Sequence, residues 1–333
     1  MGVQARLYES RHEFRFDGVN SPRQARKKLC GVIVSVGLLC CTVAPAATAQ
    51  VVLLVERGPS IYQQAAQGFQ QGFAGADLVE QIDIDGGGRD LEATFGSLRT
   101  KRPRLVVAIG TQAARAAKEH LPDTPLLYCL ALRPVQNDLV GAHIGGIAFD
   151  IRLSQQFESI QEALPKIRRI GVVFDEQTSG PLVRQAERYL NPGVRLVTRS
   201  AQTPEEAYRQ IEDLLGKVLG HDDAFWLIWD PVVTNPANFR FLVELSLRYK
   251  VPLIAPATPF VEAGALMSVG ADYSKAGQQA GRIAQQVLKR EARPEDFAAV
   301  PAASSIVTIN AEVARRLGIE FPRHLRREVL LPP

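Results

Sequence analysis

The sequence predicts an α/β protein of two doubly wound parallel-sheet lobes, on three observations. Short unbroken Val/Ile/Leu runs, such as "VVLLVE" at 51–56 and "RLVVAIG" at 104–110, have the composition of strands covered on both faces. Amphipathic stretches of helical period separate these runs. The alternation occurs in two series of about 100 residues each, on either side of "GIAFDIRLS" at 146–154. With 333 residues, 46% of them hydrophobic, the chain can build more than one core.

The first series opens with the strand at 51–56. A helix follows over 60–75, with Ile61, Ala65, Phe69 and Phe73 on one side. Strands are then expected in "LVEQIDI", "RLVVAIG" and "PLLYCLAL", alternating with helices in "DLEATFGSL" and "TQAARAAKEH". The second series sets strands "RRIGVVFD", "VRLVTR", "DAFWLIWD" (223–230) and "VPLIAP" between helices "SGPLVRQAERYL", "TPEEAYRQIEDLLGKV" (203–218) and "NPANFRFLVELSLRYK" (235–250). Cap chemistry marks the helix starts. Thr203 stands as N-cap before Pro204 in the first turn, with Glu206 at the capping-box position. Asn235 before Pro236 repeats the pattern, and Asn191-Pro192 marks a helix end.

The first 49 residues differ from the rest. Arg23, Arg26, Lys27 and Lys28 form a basic block, an uncharged run follows over 29–43, and Ala47-Thr48-Ala49 supplies an A-x-A site. This is the layout of a cleavable secretory signal peptide. The apolar run is shorter than the roughly 20 residues of a membrane span. Neither Cys40 nor Cys41 has a small residue directly before it, so no lipid anchor is expected. The leader holds seven of the 39 Lys/Arg and three of the 35 Asp/Glu, so 32 of each remain after cleavage and the mature chain is neutral. The basic balance therefore belongs to the export signal, and a nucleic-acid partner is not expected. Cys129 alone survives cleavage, and it reads as a buried, inert thiol.

Sites with chemistry are few. Gly110-Thr111 ends a strand and opens a helix, the place where open α/β sheets bind ligands; a plain N-cap is the competing reading. "DGGGRD" at 85–90 lacks the spacing of a dinucleotide or P-loop motif and reads as a surface turn. No nucleophile elbow, H-E-x-x-H or C-x-x-C is present, and His120, His143, His221 and His324 have no metal-like spacing. Hence no catalytic residue, metal or cofactor is expected. Trp229 and Asp230 close the run "FWLIWDP", where either an aromatic wall beside a carboxylate for a small ligand, or core plus turn, fits the pattern.

Several segments together carry a family resemblance: "VVAIGTQAARAAKE", "PLLYCLALRPVQNDLVG", "RRIGVVFD", "VPLIAPATPFVEAGALMSVGADYSKAGQQAGRIAQQVLKRE" and "IVTINAEVARRLGIEFP". From Val51 to Pro322 the chain resembles the ABC-transporter periplasmic substrate-binding proteins of type I fold, in their tryptophan/tyrosine-transport-like branch. The resemblance implies two lobes joined by a multi-segment hinge, with 50–148 plus 267–300 in the first and 149–266 plus 301–333 in the second. It implies that "AGALMSVGADY" returns the chain to the first lobe. The following helix then packs Ala276, Gly277, Ala280, Gly281 and Ala284 against the sheet. Ligand positions implied are Ser60 and Tyr62 after the first strand, Gly110, Thr111 and Gln112 at the strand-end turn, Asp230, Thr258 and Phe260 in the second lobe, and Asp272 with Tyr273 in the return segment. One departure is "LRPV" at 132–135, where the family often has Ser-Asp-Pro-Val. If Arg133 faces the cleft it can clamp a carboxylate or phosphate; if it faces water it is a solvated charge.

The expectation is thus an exported, non-catalytic protein that closes its lobes on a small solute, an amino acid or another small polar or aromatic molecule. It would present that solute to an ABC permease in the inner membrane. The alternative is a periplasmic sensing module that signals to a receptor or kinase.

Overall fold

The computed structural model describes residues 51–74, 79–85, 91–325 and 327–330. The leader, with its cysteines, and most of "DGGGRD" lie outside these residues. In chain order the elements begin with β1 (Val51–Glu56), α1 (Ser60–Gly72), β2 (Val79–Ile84), α2 (Leu91–Lys101), β3 (Leu105–Ile109), α3 (Thr111–His120), β4 (Leu126–Ala131) and β5 (Ile144–Ile151). Next come α4 (Leu153–Ala163), β6 (Arg169–Phe174), α5 (Glu176–Ala186), β7 (Arg195–Ser200), α6 (Pro204–Asp213), β8 (Asp223–Trp226), α7 (Pro236–Tyr249), β9 (Leu253–Ala255), α8 (Thr258–Glu262) and β10 (Met267–Ala271). The chain finishes with α9 (Tyr273–Leu288), β11 (Val300–Ala302), β12 (Ser305–Asn310), α10 (Ala311–Leu317) and β13 (Arg327–Leu330).

These elements form two sheets. The first has the order β11-β5-β4-β3-β1-β2 and is parallel throughout. The second runs β13-β12-β10-β9-β8-β6-β7 and is parallel except where β12 lies antiparallel to β10. Each contains the doubly wound order 2-1-3-4-5, as β2-β1-β3-β4-β5 and β7-β6-β8-β9-β10, so each has a switch point beside its first strand. Every described residue of β3 and β4 is buried, as expected of strands covered by helices on both sides.

Local cap chemistry sets the helix starts. Asn235 Oδ1 accepts from the backbone N–H of Ala237 and Asn238, and Thr203 Oγ1 accepts from that of Glu206. The Glu206 carboxyl reaches back one residue beyond the cap, to the Gln202 N–H at 2.9 Å. Asp175, Asp272 and Asn310 cap α5, α9 and α10 in the same way. The helix expected over 203–218 is α-helical to Asp213 and finishes in one π turn at Leu214–Val218. The strand expected over 223–230 ends at Trp226. Leu227 N–H still bonds the Ile254 carbonyl, but the chain then bends into a turn held by Asp230. Trp229 lies beyond the strand and packs against the same apolar core that contains Trp226 and Ile228.

Backbone connections between the sheets run through 151–153, 271–273 and 302–305. Pairing keeps Phe149–Ile151 in the first sheet and Met267–Ala271 in the second, whereas the sequence expectation divides the chain after 148 and after 266. Met267–Ala271 hydrogen-bonds to β9 and β12, so the return to the first sheet begins at Asp272.

After that return, α9 lies along α1. The seam differs from the helix–sheet contact expected, because its glycines face the backbone of another helix. A Cβ at Gly277 would stand 2.0 Å from the Ala65 carbonyl oxygen, and one at Gly68 would stand 2.1 Å from that of Ser274. Gly72 and Gly281 are closed off in the same manner by Gln278 and by Phe69 with Phe73. Only a residue without Cβ lets the two helices come this close. Gly96, in α2, is a contrast: a Cβ there would meet nothing nearer than the Arg99 guanidinium at 3.9 Å. Gly96→Ala is therefore expected to stabilise the protein by about 0.5–1 kcal/mol, read as a raised urea midpoint at unchanged slope.

Candidate functional site

Carboxyl ends of both sheets supply the residues of the site, as an open α/β sheet requires. From the first sheet come Glu56 at the end of β1, Gly110 and Thr111 after β3, Arg133 after β4, and Phe149 with Asp150 in β5. From the second come Asp175 after β6, Trp229 and Asp230 after β8, and Thr258 with Phe260 in α8 after β9. Between the sheets lies a cavity of about 100 Å³ lined by residues of both, among them Arg133, Phe149, Asp150, Gln156, Trp226 and Trp229.

Its walls are aromatic. Phe149 meets Trp229 edge-on with ring centroids 5.7 Å apart, and Trp229 meets Phe260 edge-on at 5.1 Å. Tyr273 tilts against Phe149 at 6.0 Å, and Phe157 holds Trp226 edge-on at 4.9 Å. Such geometry suits ring quadrupoles.

Its charged lining groups are Arg133 and Asp150. The Arg133 guanidinium donates from Nη2 to Ser179 Oγ at 3.2 Å, joining the first-sheet loop to α5 of the second. Ser179 Oγ in turn donates to Asp230 Oδ2 at 2.6 Å. Asp230 is 0% exposed and also accepts from the backbone N–H of Asp175 and of Val232, both at 3.0 Å. It thus ties together three donors, with Arg133 reaching it through Ser179. Asp150 opens toward solvent at the cavity edge, yet the protein around it pushes its carboxyl above the ordinary range, while the Arg133 charge pulls it back down.

A second polar cluster sits at the start of α3. Gln112 N–H donates to Glu56 Oε2 at 2.8 Å, and the Glu56 side chain fills the space in front of Gly110, whose φ is 99°. Burial pushes the Glu56 carboxyl up, against the pull of the Gln112 and Ala113 N–H groups. Burial, then Glu56 and Tyr273, push the Tyr62 phenol up to about 12. The carboxyl of Glu56 lies at the helix start that the sequence marks at Gly110-Thr111.

The structure therefore divides the residues singled out from the sequence. Arg133 and Trp229 line the cavity; Phe260 and Tyr273 stand behind its aromatic wall; Glu56 and Tyr273 both lie near the Tyr62 phenol. Thr111 Oγ1 accepts from the Leu132 N–H at 2.9 Å, fastening the loop that carries Arg133. Thr258 bonds Thr308, and Asp272 caps α9. Ser60 and Gln112 are exposed, and Gln112 joins the cluster through its backbone alone. Glu56, Phe149 and Asp150 carry site geometry without a motif. Their only signal in the sequence is position, at or near the carboxyl end of an apolar run. Cys129 is buried, which pushes its thiol up to about 12, away from the thiolate range.

A larger hollow of about 260 Å³, lined by Leu164, Ile167, His221, Asp222 and Pro252 among others, lies at the opposite, amino-terminal edge of the second sheet. Among the described residues no group of three or more His, Cys, Asp or Glu could hold a metal ion, and no helix is long and apolar enough to cross a membrane.

A family profile described as "ABC transporter substrate binding protein" matches residues 49–329. A tyrosine-binding protein of Clostridioides difficile (strain R20291) is 27% identical over 254 residues, 71% of each chain. Among solved structures, a ligand-free, open substrate-binding protein with adhesive properties from Clostridium difficile is similar with a TM-score of 0.67. It is 20% identical, covering 85% of this chain and 99% of that one. An ABC domain in complex with L-Trp from Streptococcus pneumoniae is similar with a TM-score of 0.57. It is 25% identical, covering 84% of this chain and 98% of the other.

Proposed function

This chain belongs to the ABC transporter substrate-binding protein family, and from that premise we propose that its interlobe cavity binds an amino acid with an aromatic side chain. One observation carries the reading: a guanidinium, a carboxyl and an aromatic wall converge on one cavity between the two sheets. Arg133 takes the ligand carboxylate and Asp150 its ammonium, each by a charge-assisted hydrogen bond. Phe149 and Trp229 flank the side chain. The tyrosine-binding relative and the L-Trp complex support the same class of solute.

The cavity is smaller than the several hundred Å³ of a typical ligand site, so the lobes part to admit the solute and close on it. Closure brings Arg133 toward Ser179, and the ligand shifts the balance only by binding the closed form better. The protein acts outside the cytoplasm after export through its first 49 residues, hands the solute to a permease of the inner membrane, and leaves it chemically unchanged.

Titration of the mature protein with L-tyrosine, L-tryptophan and L-phenylalanine, against a sugar as control, tests the reading by melting temperature and tryptophan fluorescence. Arg133→Gln and Asp150→Asn are each expected to weaken binding of the amino acid about 10- to 100-fold, the loss of one charge-assisted contact. Unchanged affinity in both variants would remove the cavity from consideration as the amino-acid site.

A further inference from the structure

Two tryptophans that line this cavity each carry a buried donor with no acceptor among the described residues: Nε1 of Trp226 and Nε1 of Trp229. Trp226 is 1% exposed. An indole N–H that is buried ordinarily finds a partner, because leaving it without one forfeits the hydrogen bond it had in water. Both rings are packed among other aromatic rings. Phe157 packs edge-on against the Trp226 ring, and Phe149 with Phe260 against that of Trp229. Gln156, also in the lining, donates its amide N–H to the Val269 carbonyl at 3.2 Å, and its amide oxygen accepts from neither indole. Both tryptophans also stand on the second-sheet side of the cavity, while the Arg133 and Asp150 charges enter from the first.

We infer that the solute carries a hydrogen-bond acceptor at the end remote from its charged groups, taken up by these two indole N–H donors, so that the cavity selects a hydroxylated or carbonyl-bearing ring over a plain hydrocarbon ring. The inference rests on the proposed amino-acid site and narrows it. A site built to bond a substrate oxygen rejects the analogue that lacks it, since its own buried groups then go without partners. A wall made only of carbon would not separate L-tyrosine from L-phenylalanine in this way.

The chain has only two tryptophans, and they are these two. Biosynthetic replacement of tryptophan by β-(3-benzothienyl)alanine therefore removes both N–H groups and little else. The native protein is expected to bind L-tyrosine at least about 10-fold more tightly than L-phenylalanine, and the benzothienyl protein to lose that ratio. Nitrogen-15 labelling of tryptophan gives two indole signals. At least one is expected to move downfield with L-tyrosine and not with L-phenylalanine. Equal affinities for the two amino acids in the native protein, or an undiminished ratio in the benzothienyl protein, would overturn the inference alone, and would leave ordered water as the acceptor. Failure of every amino acid to bind would overturn it together with the proposed function. Trp226→Phe and Trp229→Phe, each measured separately, report which donor is used.

Discussion

Gly277→Ala is expected to destabilise the protein by about 3 kcal/mol, and Gly277→Leu to prevent folding. The added methyl would stand 2.0 Å from the Ala65 carbonyl oxygen and 2.8 Å from Phe69 N, both backbone atoms that cannot swing aside. Relief requires α1 and α9 to separate along their length, which uncovers the side chains packed beside the seam, Phe69, Ala276 and Ala280 among them. Dense interiors transmit such a change and do not absorb it. In calorimetry the midpoint is expected to fall by roughly 6–12 °C. A midpoint within a degree of the parent would mean that the helices do not approach as closely as described.

Asp230→Ala is expected to cost about 3–5 kcal/mol in urea unfolding. Removing its carboxyl strands three donors at once: Asp175 N–H, Ser179 Oγ–H and Val232 N–H. Asp230→Asn, which keeps one acceptor oxygen, is expected to lose less. The same change cuts the path by which Arg133 of the first lobe reaches an acid of the second. Solute affinity is therefore expected to fall along with stability, in contrast to Gly277→Ala, where the cavity residues are untouched. Equal stability of Asp230→Ala and the parent would show that the three donors find other partners.

How much of this was legible in the residues varies with distance along the chain. Strands and helix starts were legible, because a run of Val, Ile and Leu or an Asn-Pro pair acts over a few neighbours. The two-series alternation was legible for the same reason. Less so were features made by residues far apart. Gly68 and Gly72 look like ordinary weak points in a helix until α9 arrives, some 200 residues later, to lie against them. Glu56 reads as the last residue of a strand, and only the folded chain brings it to the start of α3. Arg133 was open between clamp and solvated charge; its bond to Ser179 puts it at the interlobe face. Trp229 was open between aromatic wall and core plus turn; the strand stops three residues before it, and it lines the cavity.

The chain passes between the sheets in three places, and this determines what a protease can do to it. Clipping at 152 gives one fragment with β1 to β5 and another that still donates β11 to the same sheet. Clipping at 272 leaves each sheet assembled from both fragments, and clipping near 304 leaves β12 of the shorter piece bonded to β10 of the longer. No single cut at these places yields a free half; each leaves a nicked, noncovalent complex that comes apart only in denaturant.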